Sequence, residues 1–543
     1  MNTGLYSATF VTTKRFARLP LKKLSIAIRF AVAGILIPAA LSACVNYHGI
    51  GSDKKIQDSI QLDSAQSLRG EPGPWPTQNW WENFNDSQLN ALIEEGLARS
   101  PQLAEAAARV AAANAALENS QASLLPNLNA GAEATYQRYT ENGLYPAPLA
   151  GAFKSSGDIR LQAKYEVDFW GRNRAAVAAA RSQQQAAQAE AASARVMLAS
   201  AIAKTYFQLG QWQAFHRVGD NALLQRERIV ELTQQRVDAG LDTQVELKQA
   251  QTQLPMTRAA LAQLDETIVN TQHALAALLG AGPDRGLSIA VPVADENEKS
   301  NAAIVARSPA NLPVELLGHR PDIVAARWRV EAALHNTDAG KAAFYPNVNL
   351  AAFAGYSSIG LDKLIQSGSV VYGAGPALSL PLFDGGRLRA HLKADYAAYD
   401  SAVANYDQTL ITALRDVADQ LNSYRALQPQ MQEQHTALTS ARAALDLALQ
   451  RYHAGLGNYL SVLNAESAVF SQQLFAAQLN ARAFTLRAEL VRALGGGFVD
   501  AALQSPAPQN PSMQNSSSQK LSLKKSSLKR SDAMAQVSGA RNE

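Results

Sequence analysis

Cysteine is almost absent. The chain has one, Cys44, in 543 residues, so no disulfide can form within it and no cysteine set exists for a structural zinc. Its eight histidines contain no His-x-x-x-His pair, which removes the helical metal-ligand motif as well. No phosphate-cradling Gly-x-x-x-x-Gly-Lys-Ser/Thr loop occurs, so energy for any work has to come from a partner. The nearest approach to a nucleophile elbow, Gly355-Tyr356-Ser357-Ser358-Ile359-Gly360, is one residue too long and falls in a strand-to-loop region. These absences point away from an enzyme and from a resident metal or cofactor. The net charge of +4 is mild, and part of it sits in the leader and in a Lys-rich tail, which is no nucleic-acid footprint. After residue 44 no apolar run approaches the roughly 20 residues that a membrane-spanning helix needs.

What is present begins with a leader. Residues 1–43 place Lys14, Arg15, Arg18, Lys22, Lys23 and Arg29 ahead of an apolar run from Phe30 to Ala43, the order of a secretory signal peptide. The run closes in Leu41-Ser42-Ala43-Cys44, which resembles the bacterial lipobox; the resemblance implies that Cys44 is lipidated and becomes the mature N-terminus. The other reading is an incidental cysteine at the end of an anchor helix. Val45, where retention at the inner membrane would call for Asp, favours the outer membrane by the same resemblance. Residues 44–78 are polar and rich in Gly and Pro, as suits an extended tether.

Proline is missing from Gly171 to Ala239, and glycine appears there only at 210 and 219. This predicts a helix of roughly 100 Å at 1.5 Å per residue. A return helix from Asp242 to Leu279 covers only roughly 57 Å, and a helix opened by Pro101 and running to about Ser123 supplies the missing length, stacked end to end with it. The turn between long and return helices reads Gln235-Arg236-Val237-Asp238-Ala239-Gly240-Leu241. It recurs as Gln450-Arg451-Tyr452-His453-Ala454-Gly455-Leu456, with Gly240 and Gly455 where a helix ends cheaply only at positive φ. The surrounding program recurs too. Pro321, Arg329-Val330 and Pro346-Asn347 repeat Pro101, Arg109-Val110 and Pro126-Asn127, and Gly386-Arg387-x-Arg389 repeats Gly171-Arg172-x-Arg174. The chain therefore divides into a first structural repeat over 79–285, with a strand pair at about 127–169 and a helical hairpin at 171–280, and a second over 314–497. The second has its strand pair at about 347–383 and its hairpin at 386–495. A connector spans 286–313, and 503–543 is a basic tail with little to bury, expected to be disordered.

The strand pairs rest on a different period. Ile159, Leu161, Ala163, Tyr165, Val167 and Phe169 alternate strictly with Asp158, Arg160, Gln162, Lys164, Glu166 and Asp168, the pattern of a strand with one apolar face. Leu128, Ala130, Ala132, Ala134 and Tyr136 form a weaker partner. Such strands fit half of a soluble sheet, or a barrel in lipid. Four strands cannot close a barrel, and open edges are not tolerated in hydrocarbon, so a barrel requires several chains. Tyr165, Phe169 and Trp170 would then serve in an aromatic girdle.

Taken together, Trp80-Trp81-x-x-Phe84-x-Asp86, the duplication, Asp168-Phe169-Trp170-Gly171-Arg172, its counterpart Leu382-Phe383-Asp384-Gly385-Gly386-Arg387 and the Gln450-Arg451-Tyr452-x-x-Gly455 tip resemble the TolC-type outer-membrane efflux channels, in their lipoprotein branch. The resemblance covers about residues 75–500. It implies a mainly α fold with a membrane β-barrel portion: long antiparallel hairpins forming a trimeric α-barrel, and four strands per chain contributing to a shared twelve-stranded β-barrel. It implies a homotrimer in the outer membrane, in contact with its lipid, docked to a periplasmic membrane-fusion adaptor and through it to an inner-membrane pump. The function implied is a passive duct exporting small toxic molecules; the alternative is the duct of a type I protein secretion system.

By the same resemblance Arg451 and Tyr452 link neighbouring helices in a closed periplasmic tip, and Leu460 matches an apolar constriction. Asn464 stands where family members commonly carry an acidic ring, and Ser467 where an arginine can stand; both depart from the pattern. Asp242 and Glu246 at the other tip are the alternative source of an acidic ring. They also read as caps of the return helix, with Asp242 at its start, and Arg451 and Tyr452 also read as helix-end packing.

Overall fold

The computed structural model describes residues 46–56, 62–64, 66–69, 71–290, 307–308 and 312–500. The leader with Cys44, most of the connector and the basic tail lie outside the described residues. In chain order the main elements are α1 (Ser87–Arg99), α2 (Pro101–Ala122), β1 (Asn127–Arg138), β2 (Phe153–Val167), α3 (Arg172–Asp238) and α4 (Gln244–Leu278). After them come α5 (Pro321–Ala342), β3 (Asn347–Ile359), β4 (Val370–Ser379), α6 (Arg387–His453) and α7 (Tyr459–Ala493). The helices fall into matched pairs: 22 residues each for α2 and α5, 67 for α3 and α6, and 35 for α4 and α7. No helix of the described residues is long and apolar enough to cross a membrane.

The fold divides into two compact units. One holds 111–185 and 328–405 with the N-terminal segment up to Ile56. Its sheet runs β1-β2-β3-β4, antiparallel throughout. The register lines up Ala130, Leu161, Ala354 and Tyr372 across the four strands, and beside them Ala132, Ile159, Tyr356 and Val370. Because the pleat alternates, one face is apolar from edge to edge, and it is open: Leu128, Leu161, Tyr372 and Leu378 are all exposed. The opposite face carries Glu133, Asp158 and Arg160, the last paired with Asp158 at 2.5 Å and 5.7 Å from the Phe353 ring.

The sequence-based strand from Asp158 to Phe169 shifts in the structure to Phe153–Val167. Asp168 leaves the strand because its carboxylate is occupied: it accepts from the N–H groups of Asn173 at 3.2 Å and Arg174 at 2.9 Å. In the second half Asp384 accepts from Gly386 and Leu388 at 3.0 and 2.8 Å. The Asp in each strand-to-helix motif is thus the device that starts a 67-residue helix, satisfying N–H groups that have no partner in the helix itself. Trp170 stacks on Tyr345 at 4.6 Å and donates its indole N–H to the carbonyl of Pro346 at 2.8 Å.

The tether is not loose where it is described. Tyr47 meets the Phe344 ring at 5.5 Å, and Ile50 packs against the cluster of Phe344, Leu388 and Leu392. Arg389 donates to the carbonyls of Asn46 and His48. Gly- and Pro-rich composition predicted an extended chain; it did not predict that Tyr47 and Ile50 would bury their side chains against α6.

The second unit holds 57–110, 186–327 and 406–500 among the described residues. Asp86 caps α1, accepting from Leu89 N–H at 3.0 Å. Leu198, Ile202, Tyr206 and Leu209 form one stripe of α3 and bury against Trp80, Trp81, Leu89 and Ile93. Fully burying side chains of this size stabilises by about 1.5–3 kcal/mol each. Gly280 at the end of α4 lies against the Arg99 carbonyl and Pro101, so the return helix ends where α2 begins. The end-to-end stacking read from helix lengths has this contact behind it.

Asp168→Ala and Asp384→Ala each remove a helix-starting acceptor. Each is expected to cost about 1 kcal/mol, read as a lower thermal midpoint of the purified protein, while Asp→Asn at either position should retain most of it.

Candidate functional site at the hairpin tips

Both hairpins turn on one device. Gly240 takes φ 71 and Gly455 φ 76. Leu241 N–H donates to Arg236 O at 2.8 Å and Gly240 N–H to Val237 O at 3.0 Å; Leu456 N–H donates to Arg451 O at 2.8 Å and Gly455 N–H to Tyr452 O at 3.1 Å. These are the paired bonds of a Schellman cap, which needs the left-handed residue glycine supplies.

Beyond the glycine the tips part company. Thr243 caps α4: its hydroxyl oxygen accepts from Val245 N–H at 3.1 Å, and the Glu246 carboxylate accepts from Thr243 N–H at 3.0 Å. The reading of Asp242 as that cap is therefore corrected by one residue, and the Thr243-x-x-Glu246 capping box is its sequence signature. At the second tip Asn458 caps α7, accepting from Ser461 N–H at 3.0 Å.

Asp242 instead joins the two tips. Its Oδ2 accepts from Arg236 Nε at 2.8 Å and from the Tyr452 hydroxyl at 2.6 Å. Arg236 Nη1 donates to the Tyr452 carbonyl at 2.6 Å, and the guanidinium lies 4.3 Å from the Tyr452 ring centroid. Thr233 Oγ1 stands 3.1 Å from the same hydroxyl. Tyr452 is wholly buried, in a cluster with Ile229, Ala250, Leu445 and Val462. Burial works against the charged form of Asp242, but hydrogen bonds from Arg236 and Tyr452, with the guanidinium charge, outweigh it and hold its carboxyl below the ordinary range. Burial first, and the Asp242 bond second, push the Tyr452 phenol up to about 12. The anion is thus kept, and the phenol stays a donor at every ordinary pH.

A second clasp lies farther from the turns. Arg226 on α3 donates to Glu466 on α7 at 2.9 Å and also bonds Thr257 on α4. Glu466 is 3% exposed; burial raises its pKa against the opposing pull of Arg226.

The residues singled out in the sequence sort into two groups. Tyr452 and Asp242 are brought together, and Glu246 serves its capping box. Arg451, Leu460, Asn464 and Ser467 are exposed, the last three on α7. Sequence reasoning passed over Arg236, Arg226 and Glu466. The repeat held a pointer to Arg236, which is the first-half counterpart of Arg451. Among the described residues no cluster of three or more His, Cys, Asp or Glu is placed to hold a metal.

Against known proteins, the outer membrane efflux protein family model matches residues 92–281 and 312–496. The chain belongs to that family, and it is an outer-membrane component of efflux systems. It is 32% identical over 463 residues to the multidrug resistance outer membrane protein MdtP of Escherichia coli, covering 83% of this chain and 91% of that one. It is 33% identical over 428 residues to the toluene efflux pump outer membrane protein TtgF of Pseudomonas putida, covering 78% and 87%. Among solved structures, the outer membrane protein VceC of Vibrio cholerae superposes with TM-score 0.72 at 40% identity, over 78% of this chain and all of that one.

The tips yield a pH prediction. The stabilisation drawn from Asp242 is fully present above its ordinary value of 3.8 and is lost as pH falls through its lowered native value. Pepsin nicking at residues 233–246 should therefore rise steeply below about pH 4 in the wild type, and Asp242→Asn should show the raised nicking at higher pH as well. Tyr452→Phe removes two hydrogen bonds, one to a carboxylate, and should destabilise the protein by about 1.5–3 kcal/mol, read in the same assay and in the thermal midpoint.

Proposed function

We propose that the chain is a passive exit duct for small organic molecules, working as a homotrimer whose copies each lend four strands to one twelve-stranded barrel and two helical hairpins to an α-barrel continuing from it. The observation that carries this reading is the sheet. One face is apolar across all four strands, and the outer edges of β1 and β4 have no partner strand among the described residues. Such edges are not tolerated in lipid unless another chain pairs them, and strands of 10 to 15 residues meet the length a tilted membrane strand needs.

Residues 1–43 are assigned as signal peptide and Cys44 as the lipidation site, with 44–78 as the segment leading from the anchor, 79–285 and 314–497 as the two repeats, 286–313 as connector and 503–543 as tail. The tips form the periplasmic entrance. Leu460 and Asn464 line its constriction, and the Arg236–Asp242–Tyr452 interlock holds the two hairpins of a copy together in the closed form. Arg451 remains exposed for a neighbouring copy or the adaptor. A periplasmic membrane-fusion adaptor docks at the entrance and links the duct to an inner-membrane pump. The family match and the names of MdtP and TtgF support small toxic compounds as cargo.

Two measurements test this. Light scattering of the detergent-extracted protein should give three copies per particle; a monomer would sink the shared barrel. A deletion strain should become hypersensitive to a panel of antibiotics, dyes, detergents and aromatic acids, with resistance restored by the intact gene and not by Cys44→Ala, which loses the anchor.

A further inference from the structure

The acidic residue nearest the constriction points the wrong way. From Tyr459 to Ala481, α7 carries a single charged side chain, Glu466. It lies two residues beyond Asn464, a turn of about 200° around the helix. There it is buried against the first hairpin, held by Arg226 at 2.9 Å. The exposed side of the same stretch presents Leu460, Asn464, Ser467, Ser471, Phe475 and Gln478, with no charge over roughly 35 Å of helix. The next exposed charge is Arg482. Nothing in the helical fold demands this. The paired helix α4 carries Glu246, Lys248, Arg258, Asp265 and Glu266 over its matching length, all but Glu246 exposed. On α6, the other arm of the second hairpin, the exposed charges near the tip are Arg442, Asp446 and Arg451, in which arginine outnumbers aspartate. Of the acidic residues at the first tip, Asp242 is 9% exposed and neutralised by Arg236, Glu246 is held in the capping box with Thr243, and Asp238 accepts from Gln234 on its own helix.

We infer that the entrance of this duct is an uncharged, partly apolar collar formed by the exposed face of α7, and that it passes neutral and anionic amphipathic molecules without the preference for cations that an acidic ring would impose. The inference rests on reading the tips as the entrance. Its physical basis is that a neutral collar offers no attraction to offset the cost of drawing a cation out of bulk water, while Leu460 and Phe475 give an apolar solute surface to slide along. Arg226 matters here as a positioning residue: it gives Glu466 a partner away from the collar.

The test is the reversal potential of the purified full-length protein in a planar bilayer under a potassium chloride gradient. The wild type, and Tyr452→Phe with its interlock loosened, should show a potassium-to-chloride permeability ratio near or below one. Asn464→Asp should raise that ratio about fivefold and Asn464→Lys should lower it by a similar factor. Position 464 is exposed, so neither change asks the fold to bury a charge. A strongly cation-selective wild type, or both variants matching its ratio, overturns the neutral collar while leaving the duct intact. Absence of any channel current from wild type and Tyr452→Phe alike overturns the duct, and the collar with it.

Discussion

Every backbone N–H and C=O needs a partner, and where water is absent only another strand or helix can supply one. That constraint organises this protein. On the proposed reading the apolar face shared by β1 to β4 lies in hydrocarbon, yet the sheet they make has two edges without a partner strand among the described residues. The proposed trimer answers this by letting other copies of the chain pair those edges. The same demand recurs at smaller scale wherever a helix starts or stops. Asp168 and Asp384 answer it at the start of the long helices, glycines in left-handed turns at their ends, and Thr243 and Asn458 at the start of the return helices. Helices this long succeed because their ends are finished and because Leu198, Ile202 and Tyr206 give the stripe between them something to bury.

Much of this was legible in the sequence, for identifiable reasons. Period and punctuation are local signals. The alternation around Ile159 and Leu161 announced a strand, the proline-free stretch after Gly171 announced a long helix, and the recurring Ala-Gly-Leu turn announced a second copy. The boundaries that moved did so for tertiary reasons. Asp168 continues the alternation perfectly, but its carboxylate is worth more to the first turn of α3 than its backbone is to the ladder. Tyr47 and Ile50 sit in a stretch with the composition of a loose linker and are nonetheless held by the cluster of Phe344 and Leu392, contacts so distant in the chain that no local pattern encodes them.

The tip interlock was half legible. Tyr452 and Asp242 stand out in the sequence, but at separate tips, and Arg236 does not stand out because its second-half counterpart is also an arginine. The reason is general: in a duplicated chain the eye compares equivalent positions, whereas the contacts that matter here join non-equivalent ones. Asp242 pairs with Tyr452, whose first-half counterpart is Val237; the second-half counterpart of Asp242 is Gly457. Glu466 pairs with Arg226, and their counterparts are Gln251 and Ala441.

This pattern says something about how two equal hairpins become one device. Identical tips would offer identical surfaces, with no charge on one to answer a charge on the other. Divergence at four positions, all within the helices or the turns they frame, gives one hairpin Arg226 and, beside the shared arginine Arg236, Asp242, and gives the other Tyr452 and Glu466. Each clasp is then complete only when both halves are present and in register, so neither half can satisfy it against a second copy of itself. The cost of burying these groups is met by pairing them, as burial of charge requires. Removing one partner would leave the other buried and unpaired, which is why such contacts specify the arrangement of the hairpins more sharply than apolar packing of the same area. The withdrawal of Glu466 to serve that purpose is also what leaves the exposed face of α7 without a charge from Tyr459 to Ala481: the residue that fastens the hairpins is the one the proposed collar does without.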